Sequence, residues 1–180
     1  MGEVFNLLDN FTIKNVIMNS GHNNNLENQL INLLNKKKIP YKQVSEFNLN
    51  YKGYILNFIN DKDNKNENED SLVFGLTIDN IKLLFTGDAG IESEKYILNN
   101  YELSNYNILK VGHHGSKTSS SIEFINAINP IYSLISVGKN NKFGHPNKET
   151  LENLSKSNIY RTDQHGSIVV KIKKNNIIIE

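Results

Sequence analysis

The sequence predicts an α/β layered sandwich, sheets covered by helices on their outer faces, formed by residues 1–180 as a single domain. Three observations carry this. Strand pairs joined by short polar turns fill the middle of the chain, apolar strand-length and helix-length runs alternate after them, and nothing reads as an internal repeat or an interdomain linker. At 180 residues the chain can bury a sizeable core without a second domain.

Glu3 to Asn10 place Val4, Leu7 and Leu8 at helical spacing, which predicts a short amphipathic helix just after Met1. Lys14 to Met18 reads as a buried strand, and Ser20, Gly21 and Asn23 to Asn25 as a turn that caps the next helix. His22 falls in this turn and is read as a solvated loop histidine. From Leu26 to Lys38 the positions Leu26, Leu30, Ile31, Leu33 and Leu34 share a helical face, and Pro40 stops the helix. Lys36 to Lys38 lie at its C-terminal end, where cations suit the dipole, and are read as a solvated helix end rather than a nucleic-acid patch.

Tyr41 to Val44 and Tyr51 to Ile59 read as strands, the second alternating through Tyr54, Leu56 and Phe58. Asp61 to Asp70 has no periodicity and lacks the glycine and ligand spacing of a calcium loop, so it is expected to be a disordered hairpin tip. Ser71 to Thr77 and Asn80 to Phe85 form a hairpin over Asp79-Asn80, ending at Thr86-Gly87-Asp88. Ile91 to Asn99 reads as a helix, Asn107 to Val111 a strand, Ser121 to Ile128 a helix and Ile131 to Val137 a strand. Lys148 to Ser155 then gives a helix and Ile159 to Thr162 a strand, and Gly166 to Lys173 pairs with Asn176 to Ile179 in a closing hairpin.

Composition narrows the function. The net charge of +1 lacks the strong field of a dedicated nucleic-acid binder, so any contact with a polyanion must come from local basic placement. There are no cysteines, which excludes disulfides and thiolate metal sites and leaves His, Asp and Glu as the available ligands. No apolar run approaches the ~18 residues of a membrane span, so the chain taken alone reads as soluble. No small organic cofactor is expected.

Three strand ends carry residues with metal or proton chemistry. Ile81 to Asp88 (IKLLFTGD) delivers a lone carboxylate, Ile108 to Ser121 (ILKVGHHGSKTSSS) sets His113 and His114 between two glycines, and Ile131 to Pro146 runs into a loop bearing His145. Asp88 precedes a helix, so capping and ligation stand level for it, but adjacent histidines between glycines have no packing rationale and point to a metal. Adjacent side chains diverge, so one of His113 and His114 would bind metal and the other contact substrate or move protons. Ser116, Lys117, Thr118, Ser119 and Ser120 offer donors suited to phosphate oxygens, as does Lys142 in the third loop. Ser119 or Ser120 is also a candidate N-cap, with Glu123 completing a capping box. For His145, ligand, substrate contact and structural residue remain open, and His165 reads as structural.

With SLVFGLTIDNIKLLFTGD, LKVGHHGSKTSSS, FINAINPIYSLISVGKNNKFGHP and YRTDQHGSIVV in this order, Ser71 to Lys173 resembles the metallo-β-lactamase-like domain of the ComEC family of DNA-internalization competence proteins. The resemblance implies an αββα sandwich with a divalent-metal site, Zn²⁺ or Mn²⁺, where strand ends meet. Asp88 matches the bridging aspartate and the twin histidines match the late metal motif, giving Asp88, His113 and His114 as ligands and His114 and His145 as catalytic candidates. Ser116, Lys117, Ser119 and Lys142 are the candidate substrate contacts. The implied chemistry is hydrolysis of DNA phosphodiesters, in a domain joined to a membrane channel for DNA uptake, so DNA and the channel portion are the expected partners.

The superfamily's His-x-His-x-Asp-His motif is absent from the sequence. The expectation is therefore an N-terminally truncated domain, inactive alone, whose missing N-terminal segment would complete both the sandwich and the metal shell. The alternative is a non-catalytic module of the same fold that binds DNA or a partner through Lys117 and the Lys139 to Lys142 loop. Hydrolysis of a small ester or lactam rests on fold analogy only.

Overall fold

The computed structural model describes residues 2–21, 24–44, 47–60, 62–103 and 105–180, so the expectation for His22 lies outside the described residues. The elements run α1 (Gly2–Asn10), β1 (Val16–Met18), α2 (Asn25–Lys37), β2 (Tyr41–Gln43), β3 (Phe47–Tyr51), β4 (Tyr54–Phe58), β5 (Phe74–Ile78) and β6 (Ile81–Phe85). They continue α3 (Ile91–Asn100), β7 (Ile108–Lys110), a 3₁₀ turn (Gly112–Gly115), α4 (Ile122–Ile128), β8 (Tyr132–Ile135), α5 (Lys148–Asn153), β9 (Asn158–Arg161), α6 (Thr162–His165), β10 (Val170–Lys173) and β11 (Asn176–Ile179).

β3 to β9 form a seven-stranded mixed sheet in sequence order. Its first half, β3 through β6, is antiparallel, with two-residue turns joining β3 to β4 and β5 to β6 and a longer connection between β4 and β5. Its second half is parallel, β6 through β9, because α3, α4 and α5 cross between them. On the helix side, Leu84, Leu109 and Ile135 from the strands meet Ile97, Phe124, Ile125, Ile128 and Leu154 in the main core. On the other side, Ile81, Leu83 and Ile108 are covered by Val170, Ile172 and Ile177 of the terminal hairpin, so helices, sheet and hairpin stack as layers. That layering keeps the α/β class expected from the sequence, with helices on one face of the central mixed sheet and the two-stranded hairpin on the other.

The N-terminal α1, β1, α2 and β2 make a smaller unit around Leu8, Met18, Leu30 and Leu34, in which β1 and β2 pair in parallel. Asn24 caps α2 through a full capping box with Glu27. Lys37 is no free cation: its ammonium reaches Asp9 at 2.9 Å and the Leu8 carbonyl at 3.1 Å, tying α2 to the end of α1.

Three expectations are corrected. Tyr51 to Ile59 is not one strand: Lys52 (φ 52°) and Gly53 (φ 87°) turn the chain, and Tyr51 pairs with Tyr54. The expected disordered tip before Asp70 is folded in its described part. Asp70 is buried and accepts from the Asn64 and Asn66 amides, while Asn60 donates to the Glu69 and Ser71 carbonyls. α4 is capped by Ser121 rather than Ser119 or Ser120, its hydroxyl accepting from Phe124 N–H at 3.4 Å.

Candidate active site

Because β6, β7, β8 and β9 are parallel neighbours, the loops leaving their C-terminal ends emerge at one sheet edge. The first carries Asp88, the second His113 and His114, the third His145, and the fourth is α6. Lateral hydrogen bonds fasten each loop to the next. Thr86 Oγ1 donates to the Lys110 carbonyl at 3.1 Å and His113 N–H to the Gly87 carbonyl at 3.0 Å, joining the first two. Asn147 N–H reaches the Gly115 carbonyl at 2.8 Å, and Thr162 Oγ1 accepts from Val137 N–H and donates to the Val137 carbonyl, both at 2.8 Å.

The twin histidines sit in a strained turn. His113 (φ 45°) and His114 (φ 55°) both take the left-handed conformation, which costs an L-residue of order 1–2 kcal/mol each. Gly115 follows at φ +82°, where a Cβ would lie 2.6 Å from the Pro146 Cβ. This conformation sends the two rings apart. His114 Nδ1 lies 2.7 Å from the Ser136 carbonyl oxygen, which can only accept, so Nδ1 carries a proton and in the neutral ring the lone pair is on Nε2. His113 turns toward Thr118, whose hydroxyl is 3.5 Å from its Nδ1, and toward His145, with ring centroids 6.0 Å apart.

His145 joins these two rings. Its Nδ1 is buried with no hydrogen-bond partner among the described residues, and it lines a cleft of about 200 Å³ with His114, Val137, Gly138, Asn141 and Phe143. Burial holds its pKa below the ordinary histidine value, with the neighbouring His113 and His114 adding to the effect. The sequence left three roles open for His145, and the geometry puts it in the cluster.

Asp88 does not cap α3: Gly90 is the N-cap and makes no side-chain cap bond. Glu69 takes over, its carboxylate accepting from Ser93 N–H and from the Ser93 hydroxyl. The Asp88 backbone N–H donates to Ser71 Oγ at 3.0 Å, and its charge acts on the half-buried Lys110, whose pKa burial pushes down and Asp88 pushes back up. Among the described residues no group of His, Asp and Glu gathers closely enough to hold a metal ion. Asp88, His113 and His114 therefore do not by themselves make the three-ligand shell a catalytic zinc requires.

The hydroxyls divide. Ser119 is 2% exposed and donates to the Gly112 and Ser116 carbonyls, so it braces the turn from inside and does not open to a substrate as expected. Ser116 is also buried, and its hydroxyl pairs with that of Thr118 at 3.0 Å. Lys117, Lys139 and Lys142 are exposed, and none takes part in the ion pairs among the described residues.

Two residues that shape the site went unmarked in the sequence. Glu94, on α3, accepts from the amides of Ser120 and Ser121 and so holds the end of the twin-histidine loop. Asn141 clamps the third loop through bonds to both the N–H and the carbonyl of His145. Neither carries a motif; each acts on backbone brought near by the fold. His165, read as structural in the sequence, has Nδ1 near the Arg161 backbone and its ring against Tyr160.

No family model matches the chain. It is 38% identical over 113 residues to ComE operon protein 3 of Bacillus subtilis, covering 62% of this chain and 15% of that protein. Competence protein ComA of Neisseria gonorrhoeae is 34% identical over 122 residues, covering 64% and 18%. Recombination protein 2 of Haemophilus influenzae is 32% identical over 100 residues, covering 54% and 12%. The chain thus spans under a fifth of the length of these relatives. A distant likeness links it to a solved structure from Thermotoga maritima described as a Zn-dependent hydrolase of the metallo-β-lactamase superfamily. There the TM-score is 0.38 and the identity 14%, over 73% of this chain and 65% of that one.

Proposed function

We propose that this chain, related to the ComEC family of competence proteins with a metallo-β-lactamase-like fold, supplies one wall of a DNA phosphodiesterase site. The supporting observation is the convergence of His113, His114 and His145 at the end of parallel strands, with the His114 tautomer fixed by Ser136. Asp88, His113 and His114 are this chain's share of donors for a Zn²⁺ or Mn²⁺ ion, and a segment bearing His-x-His-x-Asp-His would complete the shell.

The chain's own residues act on proton and phosphate. His145, its pKa held below the ordinary histidine value, can accept a proton at the cleft it shares with His114, whose Nε2 is the atom left for the metal ion. Lys117 and Lys142 draw the phosphodiester in, while Ser116 positions Thr118 beside His113. The wider assignment, work on incoming DNA beside a membrane channel, rests on the resemblance carried by the sequence motifs; no helix among the described residues is long and apolar enough to cross a membrane.

A second reading, a non-catalytic DNA-binding module, is favoured by the exposed lysines and the incomplete donor set. Cleavage of a labelled oligonucleotide with Mn²⁺ or Zn²⁺ separates the two. The chain alone should not cleave, the chain joined to a segment bearing the missing motif should, and His114→Ala should remove that cleavage by 100-fold or more. Salt-dependent binding without cleavage in the joined protein would establish the second reading.

A further inference from the structure

The third loop ends in an aromatic ring that the hydrolytic reading does not use. Phe143 is 80% exposed, more than any other large apolar side chain among the described residues. Exposed phenyl rings usually sit on slack backbone, and this one does not. Asn141 Oδ1 accepts from Phe143 N–H at 3.2 Å and His145 N–H at 2.9 Å, and its Nδ2 donates to the His145 carbonyl at 2.7 Å and the Gly138 carbonyl at 3.1 Å. A single side chain thus fixes the backbone on both sides of the ring.

The ring also has a defined orientation. It stacks on His145 with centroids 5.8 Å apart and planes 19° from parallel, at the rim of the cleft that holds His114. Exposed Lys142 precedes it and exposed Lys139 lies on the same loop. A rigid aromatic face beside free cations suits a ligand that is itself both aromatic and anionic, and an unpaired nucleotide has this composition. A membrane surface suits it less, since one ring buries too little apolar area to anchor a protein.

We infer that Phe143 is a stacking platform for an unpaired base of the nucleic-acid strand whose phosphate enters the histidine cleft, and so a specificity-determining residue. This rests on the phosphodiesterase reading and deepens it: the site takes strands with unstacked bases, in a sequence-tolerant way, because every base has a π face.

The test measures binding with EDTA present so that hydrolysis does not contribute. Fluorescence anisotropy at low salt compares a short oligothymidylate with an abasic oligonucleotide of the same length, on the 180-residue chain. The wild type should favour oligothymidylate on the order of tenfold, as expected for one stacked base. Phe143→Ala should fall to the abasic affinity without changing abasic binding, and Phe143→Trp should keep the preference. Equal affinity of the wild type for both probes, or an equal loss on both in Phe143→Ala, overturns the stacking role alone. Binding of neither probe overturns the phosphodiesterase reading with it. Binding to anionic vesicles that falls in Phe143→Ala while oligothymidylate binding is unmoved would assign the ring to a lipid surface instead.

Discussion

Glu94 on α3 and Ser121 at the start of α4 are joined by a 2.9 Å hydrogen bond from the Ser121 amide to the buried carboxylate, which also accepts the amide of Ser120. Ser120 has φ +60°, so the carboxylate holds a strained residue at the end of the twin-histidine loop. Removing it leaves one buried and one half-buried N–H group without this partner. Glu94→Ala should therefore destabilise the protein by about 3 kcal/mol, measured by urea unfolding.

Burial pushes the Glu94 pKa up, with the bonds to Ser121 and Ser120 opposing. A raised folded-state pKa means the group contributes stability that is full below the ordinary Glu value of 4.5 and is lost as pH rises through the raised value. Urea midpoints from pH 4 upward should show this fall in the wild type. Glu94→Gln, which does not titrate, should lack it; identical pH slopes would sink the assignment.

Asp163 gives the opposite sign. Its carboxylate receives two bonds from the Arg161 guanidinium, at 3.0 and 2.6 Å, and its pKa lies below the ordinary 3.8, chiefly through that hydrogen bonding. Its contribution is present above 3.8 and lost as pH falls through the depressed value. Asp163→Asn should thus narrow the gap to wild type in acid unfolding below that pH, and a constant gap would contradict it.

Much of the site was legible because strand ends announce themselves: an apolar run followed by Thr86-Gly87-Asp88 or Gly112-His113-His114 needs no tertiary information. The turn at Lys52-Gly53 was not, because a lysine in the left-handed region replaces the Asn or Asp that usually marks such a hairpin. The order before Asp70 was hidden for another reason. Its acidic and amide side chains look solvated in sequence, yet the Asp70 carboxylate gathers the backbone N–H groups of Asn64 and Asn66, and Glu69 caps a helix. Ser119 misled in the reverse direction, since a hydroxyl beside a basic residue reads the same whether it faces a ligand or its own backbone.

Gly115 separates the twin-histidine turn from Pro146, and its φ of +82° together with the lack of room for a Cβ beside Pro146 favours glycine there. Gly115→Ala should cost about 2 kcal/mol or more, through the left-handed backbone and the contact with Pro146. The same variant should broaden the NMR signals of the His113, His114 and His145 rings. A thermal midpoint equal to wild type would show that the turn relaxes freely.

Asn141→Ala should leave global stability within about 1 kcal/mol, because the loop is peripheral to the core. Hydrogen exchange at the Phe143 and His145 amides should nonetheless speed up by roughly tenfold, since both donate to the lost oxygen. Unchanged exchange would mean the loop holds its shape without the clamp.

The lateral bonds between the four edge loops constrain how this molecule could diversify. Thr86 to Lys110, Gly87 to His113, Gly115 to Asn147 and Val137 to Thr162 each fix a distance along the chain as well as across it. Side chains at this edge other than Thr86 and Thr162 can be exchanged one at a time, but a residue inserted between two fastened positions shifts a neighbour out of register. The exposed tip around Asn140 lies outside these lateral bonds but inside the bonds from Asn141 to Gly138, so a change of length there keeps the edge in register and loosens the third loop instead. The edge is thus a template with fixed spacing and interchangeable chemistry, and new substrates would enter it by substitution.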